Sequence, residues 1–402
     1  MTRWYRTTTP LIATLLVLAA CGGTPAAAPT TAPAAATVAP AATAAPAATT
    51  APAATTAPTT AAATTAPAAT TAPAATTAPA ATTAPAANVD RTGWPEKFTV
   101  GFFGGDDAEQ VLKDNEPLRV FMEERLGMPV EFFTGTSYSA VIEAMRAKRV
   151  DAMEVGPFSY VLAVQEAGAE ALAISTTESV AEGEKVAYNP DVPPHYYSAI
   201  ITKKGSGIAT YADLKDKNFA FVDPASTSGH LAPKTLLVQN NINPDTDMKT
   251  VFAGSHPTAV LAIWNDTADA GATFEGNLYR LAKEDQIEFC NFPDNEIGKT
   301  RTAEEIKAVY DACPDGNIVI IAMSDEIPST PFAVRSDLPD TFKMAVKDSL
   351  LAIKDDAELV AAFGNWYTDP SKDMGLDTLD QYYNSLRDIA KLLNLDLKEL
   401  GG

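Results

Sequence analysis

The sequence predicts an α/β fold, and three observations support this prediction. Apolar runs of strand length alternate along the chain with segments of helical periodicity. Short turns rich in Gly, Pro, Ser and Thr join each run to the helix that follows it. The part that carries this alternation, from about Phe98 onward, holds roughly 300 residues, which is enough for two α/β lobes of ordinary size. We therefore expect parallel sheets with helices on both faces.

The alternation can be followed element by element as far as about residue 276. Strands are predicted at Phe98–Phe103, Val130–Phe133, Ala152–Val155, Tyr197–Thr202, Phe219–Val222, Val251–Ala253 and Asp269–Ala272. Helices are predicted at Pro117–Leu126, Ser139–Ala147 and Ser159–Ala167, as a short turn at Ala209–Leu214, from after Pro224 to Gln239, from Pro257, and near Gly276. In folds of this kind ligands bind at the carboxyl ends of strands, against helix N-termini.

The charge balance excludes one class of function. The chain has 51 Asp plus Glu against 30 Lys plus Arg, a formal net charge of −21. Nucleic-acid binding needs a basic surface, which this composition does not supply, so no nucleic-acid partner is expected. Any anion bound by such a chain must be held by local donors and not by the overall field.

The N-terminal residues have the features of an export signal. Arg3 and Arg6 precede an apolar segment, Leu11–Ala20, which is too short for a convincing transmembrane helix. The segment ends at Cys21 and resembles a bacterial lipobox, in which lipid is attached to the cysteine. Residues 1–20 are therefore predicted to be a lipoprotein signal peptide, and lipid on Cys21 is expected to anchor the protein to the outer side of the cell membrane. An ordinary cleaved signal peptide is the alternative.

A low-complexity segment follows the cysteine. From Thr24 to Ala87 the chain contains only Ala, Thr and Pro, apart from Val38. Such a composition has almost no side chains to bury and cannot offset its ordering entropy. Residues 21–97 are predicted to be a disordered tether that carries the globular domain, 98–402, away from the membrane.

Few residues are available for metal or thiol chemistry. Cys290 and Cys313 remain once Cys21 is assigned to the signal, and in an oxidising compartment they are expected to form a disulfide; two unpaired thiols are the alternative. The chain has only three histidines, and no Cys/His cluster has zinc-ligand spacing. No metal site and no cofactor is predicted.

The most specific motif is Asp-Pro-Ala-Ser-Thr-Ser-Gly at residues 223–229, here called the hydroxyl loop. It follows a predicted strand and opens a predicted helix. The hydroxyls of Ser226, Thr227 and Ser228, the free backbone N–H groups and the helix dipole together favour an anion at this point. Gly229 is predicted to let the backbone approach a ligand. An ordinary N-cap with additional serines is the alternative interpretation.

Three further residues lie at similar junctions. His256, in Gly-Ser-His-Pro, is positioned to donate to a bound oxyanion, and its charge would then respond to pH near neutrality. Tyr138 and Tyr196 lie next to predicted elements and are candidates to point a hydroxyl at a ligand. A capping histidine and tyrosines at the edge of the core are the alternatives.

These motifs resemble those of the phosphate, phosphite and phosphonate substrate-binding proteins of ABC transporters. The stretch Asp223–Pro233 is similar to their Asp-Pro-x-Ser-Thr-Ser-Gly-x-Leu-x-Pro motif, and Tyr138–Leu162 is similar to their helix, strand and Gly-Pro turn. The resemblance covers most of residues 98 to 392. The segment from Cys290 to Cys313 looks like an insertion, about which the resemblance says nothing.

The resemblance implies a class II periplasmic-binding-protein fold, with two α/β lobes joined by hinge strands and a ligand cleft between them. The first lobe is expected at about 98–196 and 335–402, and the second at about 202–330. The implied function is capture of a small phosphorus anion by closure of the lobes, for delivery to an ABC permease. The implied state is a monomer without enzymatic activity.

Site residues follow from the same resemblance. Those expected to hold the phosphonyl oxygens are Ser226, Thr227, Ser228 and His256, with Tyr138 and Tyr196 contributing from the facing lobe and the hinge. Glu275 matches a carboxylate that faces the amine of aminoalkylphosphonates. Thr330 occupies a position where the aminoalkylphosphonate-binding members of the family tend to carry an aspartate. Its presence weakens the case for an aminated ligand, and phosphate, phosphite and simple alkylphosphonates remain open.

Three alternative functions remain at this point. The protein binds another small oxyanion, or it presents its ligand to a membrane sensor, or it is a secreted hydrolase with a Ser226/His256 pair. The hydrolase is disfavoured because the chain has no Gly-x-Ser-x-Gly nucleophile elbow and no metal motif.

Overall fold

The computed structural model describes residues 89–105, 107–177, 193–395 and 397. The predicted signal peptide, the lipidated Cys21 and the tether as far as residue 88 lie outside the described residues. Among those it does describe, no helix combines the length and the apolar character needed to span a bilayer.

The described strands form three sheets. In chain order they are β1 (Phe98–Phe103), β2 (Val130–Gly135), β3 (Ala152–Glu154), β4 (Ala169–Thr177), β5 (His195–Tyr196), β6 (Ser198–Lys203), β7 (Asn218–Phe221), β8 (Lys249–Phe252), β9 (Ala270–Phe274), β10 (Ile318–Met323), β11 (Ile327–Pro328), β12 (Pro331–Arg335) and β13 (Asn365–Thr368). The strand orders are β13-β4-β12-β3-β1-β2, β10-β6-β9-β7-β8 and β11-β5. The six-stranded sheet belongs to the first lobe, the five-stranded sheet to the second, and the β11-β5 pair to the hinge.

Helices connect most of these strands. They are α1 (Ala108–Asp114), α2 (Glu116–Leu126), α3 (Tyr138–Arg146), α4 (Pro157–Ala167), α5 (Ala232–Gln239), α6 (Pro244–Asp247), α7 (His256–Trp264), α8 (Glu275–Lys283), α9 (Ala303–Ala312), α10 (Asp340–Ala352), α11 (Ala357–Phe363) and α12 (Asn384–Leu392). A π-helical turn, Thr227–Leu231, precedes α5. Several helices begin at the Ser, Thr or Asp that caps them: Ser137 accepts from the N–H of Ala140, and Ser255 accepts from that of Thr258.

The prediction of parallel sheets is wrong for three of the five strand pairs in the six-stranded sheet and for two of the four in the five-stranded sheet. β1 pairs in parallel with β2 and β3, and β7 pairs in parallel with β8 and β9. β12 is antiparallel to β3, and β6 is antiparallel to β9. The reason is the direction of entry: β6 and β12 each follow a hinge strand and run away from the cleft, whereas the strands that they join run toward it.

Both faces of each sheet are covered, as predicted. Neighbouring residues of one strand point to opposite sides and enter different apolar clusters. In β6, Ala199 and Ile201 pack in one cluster and Ile200 packs in the other. In the first lobe, Ala152 and Met153 of β3 divide in the same way. Each sheet is therefore packed on both faces, and one cluster of the first lobe continues into the second lobe through Ala225, Leu231 and Ala232.

The chain crosses between the two sheets twice, and the crossings lie side by side. Tyr196 of β5 is paired with Ile327 of β11 in an antiparallel ladder. Two consecutive tyrosines near α12 hold these crossings from the first lobe. The Tyr382 hydroxyl donates to the carbonyl of Pro194 at 2.7 Å, and the Tyr383 hydroxyl donates to that of Ser329 at 2.9 Å.

The tether was predicted to extend to residue 97, but the last residues before β1 pack on the first lobe. Trp94 lies edge-to-face with Phe342 at 5.1 Å and donates from Nε1 to Thr341 at 3.0 Å. Arg91 donates to the carbonyl of Leu126 at 2.7 Å. Burial of a tryptophan is favourable when the ring has an apolar partner and its N–H has an acceptor. The predicted end of the tether at residue 97 was based on composition alone and did not take this into account.

A disulfide joins Cys290 and Cys313, whose Cα atoms are 5.7 Å apart. The segment between them, together with the residues up to Ile318, is attached to the second lobe. Cys290 and Ile318 are linked by a backbone hydrogen bond of 3.0 Å, and Phe292 is buried in the core of that lobe. The bridged segment is therefore a fixed part of the second lobe.

Candidate functional site

A cavity of about 1100 Å³ lies between the two lobes. All seven ligand-binding residues predicted from the sequence line it: Tyr138, Tyr196, Ser226, Thr227, Ser228, His256 and Glu275. They come from the first lobe, the hinge and the second lobe. The hydroxyl loop thus faces the cleft and not an outer surface.

The hydroxyl loop is held by its own side chains. Ser226 caps the π-helical turn by accepting from the N–H of Gly229 at 3.0 Å, and the Asp223 carboxylate accepts from the N–H of Ala225 at 2.8 Å. His230 bonds through Nδ1 to the carbonyl of Pro224 at 2.8 Å. The N–H groups of Thr227 and Ser228 lie in the first turn, where a helix offers no internal acceptor. They are the donors available to an anion.

Packing against Val222 requires a glycine at position 229, and its predicted role in ligand approach stays a prediction. A Cβ atom at this position would lie 2.3 Å from Cγ2 of Val222. The carbonyl of Gly229 also accepts from the N–H of Val222 at 3.0 Å. The glycine lets the helix pack against the end of β7, and that packing fixes where the loop lies.

The start of α4 in the first lobe meets the hydroxyl loop of the second. Thr227 Oγ1 accepts from the N–H of Phe158 at 2.8 Å, and the Ser159 hydroxyl donates to the carbonyl of Ala225 at 2.7 Å. Sequence reasoning did not assign a site residue here, although Gly156 and Pro157 marked the start of a helix. Two helix N-termini therefore converge on one point of the cavity.

Tyr138 and Tyr196 are both neutral at physiological pH. Burial raises the pKa of Tyr138, and the charge of Asp223 acts in the same direction. Burial also raises the pKa of Tyr196 to about 12, against a smaller effect of Ser228 and Thr227. Both phenols keep their hydrogen and remain donors for an oxyanion.

His256 is held in one orientation at the start of α7. Its Nδ1 lies 3.1 Å from Oγ1 of Thr273, which also accepts from Asn277 at 3.1 Å. In the tautomer in which the Thr273 hydroxyl donates to Nδ1, the ring proton lies on Nε2, where it can serve as a donor.

The pH response of His256 near neutrality was predicted for the anion-bound protein and stays a prediction, and in the ligand-free protein burial dominates its pKa. Burial, together with a smaller effect of the charge of Arg280, lowers the pKa of His256 to about 3. The physical reason is that the imidazole is only 8% exposed and has no carboxylate against it to favour the charged form. The residue is a neutral donor across the physiological range.

Glu275 begins α8 and is only 2% exposed. Its Oε1 accepts from the N–H of Gly298 at 2.7 Å, so the disulfide-bridged segment holds this carboxylate in place. Burial raises the pKa of Glu275 to about 7, although Gly298 and the charge of Arg301 oppose this shift. Arg301 is itself paired with Asp294 at 2.7 Å.

Two further carboxylates, Glu154 and Asp285, line the cavity, and sequence reasoning found neither. Glu154 ends β3, and its Oε2 accepts from the Tyr367 hydroxyl at 2.6 Å. Burial raises the pKa of Glu154 to about 7. The available signal was a single acidic residue in an otherwise apolar strand, directly before the turn at Gly156.

Most of the donors in the cavity are hydroxyls and backbone amides. Arg280 and Lys283 also line it, and Arg280 is paired with Glu284 at 3.0 Å. Within the part of the chain that the structure describes, no three His, Cys, Asp or Glu side chains are grouped to hold a metal ion. The arrangement is suited to binding a small oxyanion reversibly.

Comparison with known proteins agrees with the family resemblance found in the sequence. Residues 100–373 match the family described as "ABC transporter, phosphonate, periplasmic substrate-binding protein". The match includes both lobes and every predicted ligand-binding residue.

Two curated relatives are similar over most of the same region. The "Phosphate-import protein PhnD" of Mycolicibacterium smegmatis is 28% identical over 56% of this chain and 74% of its own length. The "Phosphonates-binding periplasmic protein" of Escherichia coli is 30% identical over 60% of this chain and 62% of its own length.

Solved structures confirm the fold. A binding protein component of an ABC phosphonate transporter from Pseudomonas aeruginosa superposes with a TM-score of 0.53 at 21% identity, over 76% of this chain and 95% of that one. PhnD1 from Prochlorococcus marinus, solved in complex with methylphosphonate, gives a TM-score of 0.54 at 17% identity, over 74% and 98%. The two-lobed fold expected from the sequence is therefore correct.

Proposed function

Because the chain belongs to the family of periplasmic phosphonate substrate-binding proteins of ABC transporters, we propose that it captures a phosphonate, phosphite or phosphate between its lobes and delivers it to a permease. A protein of this family is a transport component and not an enzyme, so the hydrolase alternative is excluded. The relatives named for phosphate import and phosphonate binding support both kinds of ligand.

The observation that carries the proposal is the convergence of α4 and the hydroxyl loop on one buried point between the lobes. Thr227 and Phe158, which come from different lobes, are hydrogen-bonded there. Oriented N–H groups and hydroxyls at helix N-termini are a suitable environment for a tetrahedral anion. The chain carries a net charge of −21, so such local donors must supply the binding energy.

Each predicted residue has a role in this proposal. The oxygens of the anion accept from Ser226, Thr227 and Ser228 of the second lobe, and from neutral His256. Tyr138 and Tyr196 donate from the first lobe and the hinge. Glu275 faces the substituent on phosphorus.

Closure of the lobes is the proposed response to the ligand. Donors on both lobes are satisfied together only when the cleft is closed, so the ligand has a higher affinity for the closed state and increases its population. The closed protein then presents a different surface to the permease.

The location of the protein forms part of the same proposal. Lipid on Cys21 and the Ala/Thr/Pro-rich tether would keep a monomeric binding domain close to the outer face of the membrane. The Cys290–Cys313 disulfide is in keeping with an oxidising compartment. Incorporation of labelled palmitate into the full chain, and its loss in Cys21→Ala, tests the anchor.

Calorimetry on residues 89–402 tests the ligand class. The panel contains phosphate, phosphite, methylphosphonate and 2-aminoethylphosphonate, with sulfate to represent another tetrahedral oxyanion. At least one phosphorus compound is expected to bind and to stabilise the protein by about 2.7 kcal/mol at a hundredfold excess over Kd. Ser226→Ala/Ser228→Ala should weaken that binding, and Thr267→Ala, an exposed hydroxyl in the same lobe, should not. Binding of sulfate alone would contradict the proposal.

A further inference from the structure

The cavity continues along α8, beyond the residues proposed to bind the anion. Glu275, Tyr279 and Lys283 are spaced about one helical turn apart, and all three line it. With a rise of about 1.5 Å per residue, this part of the cavity extends about 12 Å from the start of α8. The volume of about 1100 Å³ is as large as that of sites which hold drug-sized ligands, about 300–1,000 Å³. A phosphate or methylphosphonate at the hydroxyl loop would therefore fill only a small part of it.

The far part of the cavity, here called the distal pocket, is bounded by the disulfide-bridged segment. It is lined by residues of α8 and of the chain that begins directly before Cys290: Tyr279, Lys283, Phe289, Asn291, Asn295 and Ile297. Phe289 lies edge-to-face with Tyr279 at 5.5 Å, so the pocket has an apolar wall beside its polar groups. The family resemblance says nothing about the bridged segment, so the distal pocket is not among the features that the resemblance implies.

A series of hydrogen bonds fixes the orientation of the Asn295 side chain. Oδ1 of Asn291 accepts from the backbone N–H of Phe292 at 2.6 Å and also from the Tyr279 hydroxyl. Because a backbone N–H can only donate, this atom of Asn291 must be the oxygen, and its Nδ2 donates to Oδ1 of Asn295. Nδ2 of Asn295 keeps both hydrogens, and no residue in the described part of the chain accepts from it. Asn295 therefore presents two oriented donors in the distal pocket.

The distal pocket favours an acceptor without a net charge. Lys283 and Asp285, which also line the cavity, carry opposite charges and are both exposed. Arg280 is already paired with Glu284 at 3.0 Å. The remaining requirement is an oxygen that accepts from Asn295, and a hydroxyl or a carbonyl on an alkyl chain supplies it.

We propose that Asn295 is a specificity-determining residue that donates to an oxygen on the alkyl substituent of a phosphonate. This inference rests on the proposed function and narrows it to phosphonates whose short chain carries a hydroxyl or a carbonyl. Tyr279 lies one helical turn, about 6 Å, beyond Glu275. A chain of about four bonds covers that distance. The hydroxyl loop binds the anionic end of the ligand, and Asn295 binds the oxygen at the other end.

The test compares ligands that share one carbon chain. Butylphosphonate, 3-hydroxybutylphosphonate and 3-oxobutylphosphonate carry a methylene, a hydroxyl and a carbonyl, respectively, at the same carbon. Calorimetry is expected to show that wild-type protein binds both oxygenated ligands at least about fivefold more tightly than butylphosphonate, the effect of one hydrogen bond. Asn295→Gly should abolish this preference. Glycine suits the left-handed backbone at this position, where φ is 55°.

A second variant separates hydrogen bonding from structure. Asn295→Asp keeps the shape of the side chain, tolerates the left-handed backbone and still accepts from Asn291. A carboxylate accepts hydrogen bonds but donates none. The variant should therefore lose the preference for the carbonyl ligand and keep one for the hydroxyl ligand, whose O–H can donate. Asn241→Gly changes an exposed asparagine of the same lobe with φ of 60°, and this matched control should behave as wild type.

The possible outcomes separate the two proposals. The inference on Asn295 is wrong, while phosphonate binding stands, if wild-type protein does not prefer the oxygenated ligands, if Asn295→Gly retains the preference, or if Asn295→Asp binds both oxygenated ligands alike. Binding of butylphosphonate to each variant shows that it is folded. If phosphate or phosphite binds but none of the three alkylphosphonates does, the distal pocket holds no substituent and the inference is wrong. If phosphate and phosphite also fail to bind, the proposed function is wrong, and the inference fails with it.

Discussion

The hydroxyl oxygen of Thr227 accepts a hydrogen bond from the backbone N–H of Phe158 at 2.8 Å, and these two residues belong to different lobes. Both are almost fully buried. A helix N-terminus of the first lobe is thus satisfied by the hydroxyl loop of the second. In the proposed closure this bond forms as the lobes come together, so Thr227 provides a test of that closure.

Thr227→Val should weaken ligand binding. The variant keeps the shape of the side chain but leaves the buried N–H of Phe158 without its acceptor, at a cost of about 1–3 kcal/mol in the closed state. We expect Kd for the best phosphorus ligand to rise about tenfold or more, as measured by calorimetry. Thr227→Ser retains the hydroxyl and should bind within a few-fold of wild type. Weakened binding in Thr227→Ser together with wild-type binding in Thr227→Val would show that the methyl group, and not the hydrogen bond, matters.

His256 should remain neutral in the ligand-free protein down to about pH 4, because burial lowers its pKa to about 3. NMR titration of the imidazole signals, assigned with His256→Gln, measures this directly. In the unfolded chain this histidine binds a proton with its ordinary pKa of 6.5, and in the folded chain it does not. His256 should therefore reduce stability as the pH falls below about 6.5. A midpoint for His256 near neutrality would contradict this expectation.

Glu154 and Glu275 should have the opposite effect on stability. Their folded pKa of about 7 lies above the ordinary glutamate value of 4.5, so the folded state binds more protons between these values. Their contribution is fully present below about pH 4.5 and is lost as the pH rises through 7. Glu154→Gln/Glu275→Gln should gain about 1–3 kcal/mol per site over wild type at pH 8, with little gain at pH 4.5. Urea unfolding of ligand-free protein across this range measures the difference, and Glu170→Gln serves as the control. If the difference in the free energy of unfolding between variant and wild type does not change with pH, the raised pKa values of the two glutamates are contradicted.

Loss of the disulfide should affect both stability and ligand binding. The bridge closes a loop with a sequence separation of 23, for which the chain-entropy account gives about 3 kcal/mol. Cys290→Ser/Cys313→Ser should lower the free energy of unfolding by about that amount. Because Gly298 of the bridged segment holds Glu275, an aminated ligand should lose more affinity than an unsubstituted one. Calorimetry with phosphite as the reference ligand checks this, and equal losses for both ligands would show that the segment acts only on stability.

The sequence predicted what local chemistry determines. Strand-to-helix junctions marked by Ser, Thr, Gly and Pro identified the hydroxyl loop, His256 and Tyr138, because capping and turn residues act within a few positions along the chain. The directions of β6 and β12 were not predicted, since they depend on how the chain enters each lobe from the hinge.

Glu154 and the partnership of Thr227 with Phe158 also lay beyond local reasoning. Glu154 occupies a short strand and belongs to no motif, and its importance depends on a cavity formed by distant segments. The low pKa of His256 in the ligand-free protein was not predicted, because it depends on burial, which no local pattern shows.

The tyrosine pair at 382 and 383 bears on the order in which the molecule is assembled. These residues follow the last strand, which ends at Thr368, yet they hold both crossings between the lobes. A chain emerging from an export channel completes all thirteen described strands before it can form either bond. A polypeptide that ends shortly before residue 382 would therefore contain both sheets but lack both hydrogen bonds to the hinge segments. Its two lobes would move relative to each other without this restraint, and selective ligand binding would be weakened.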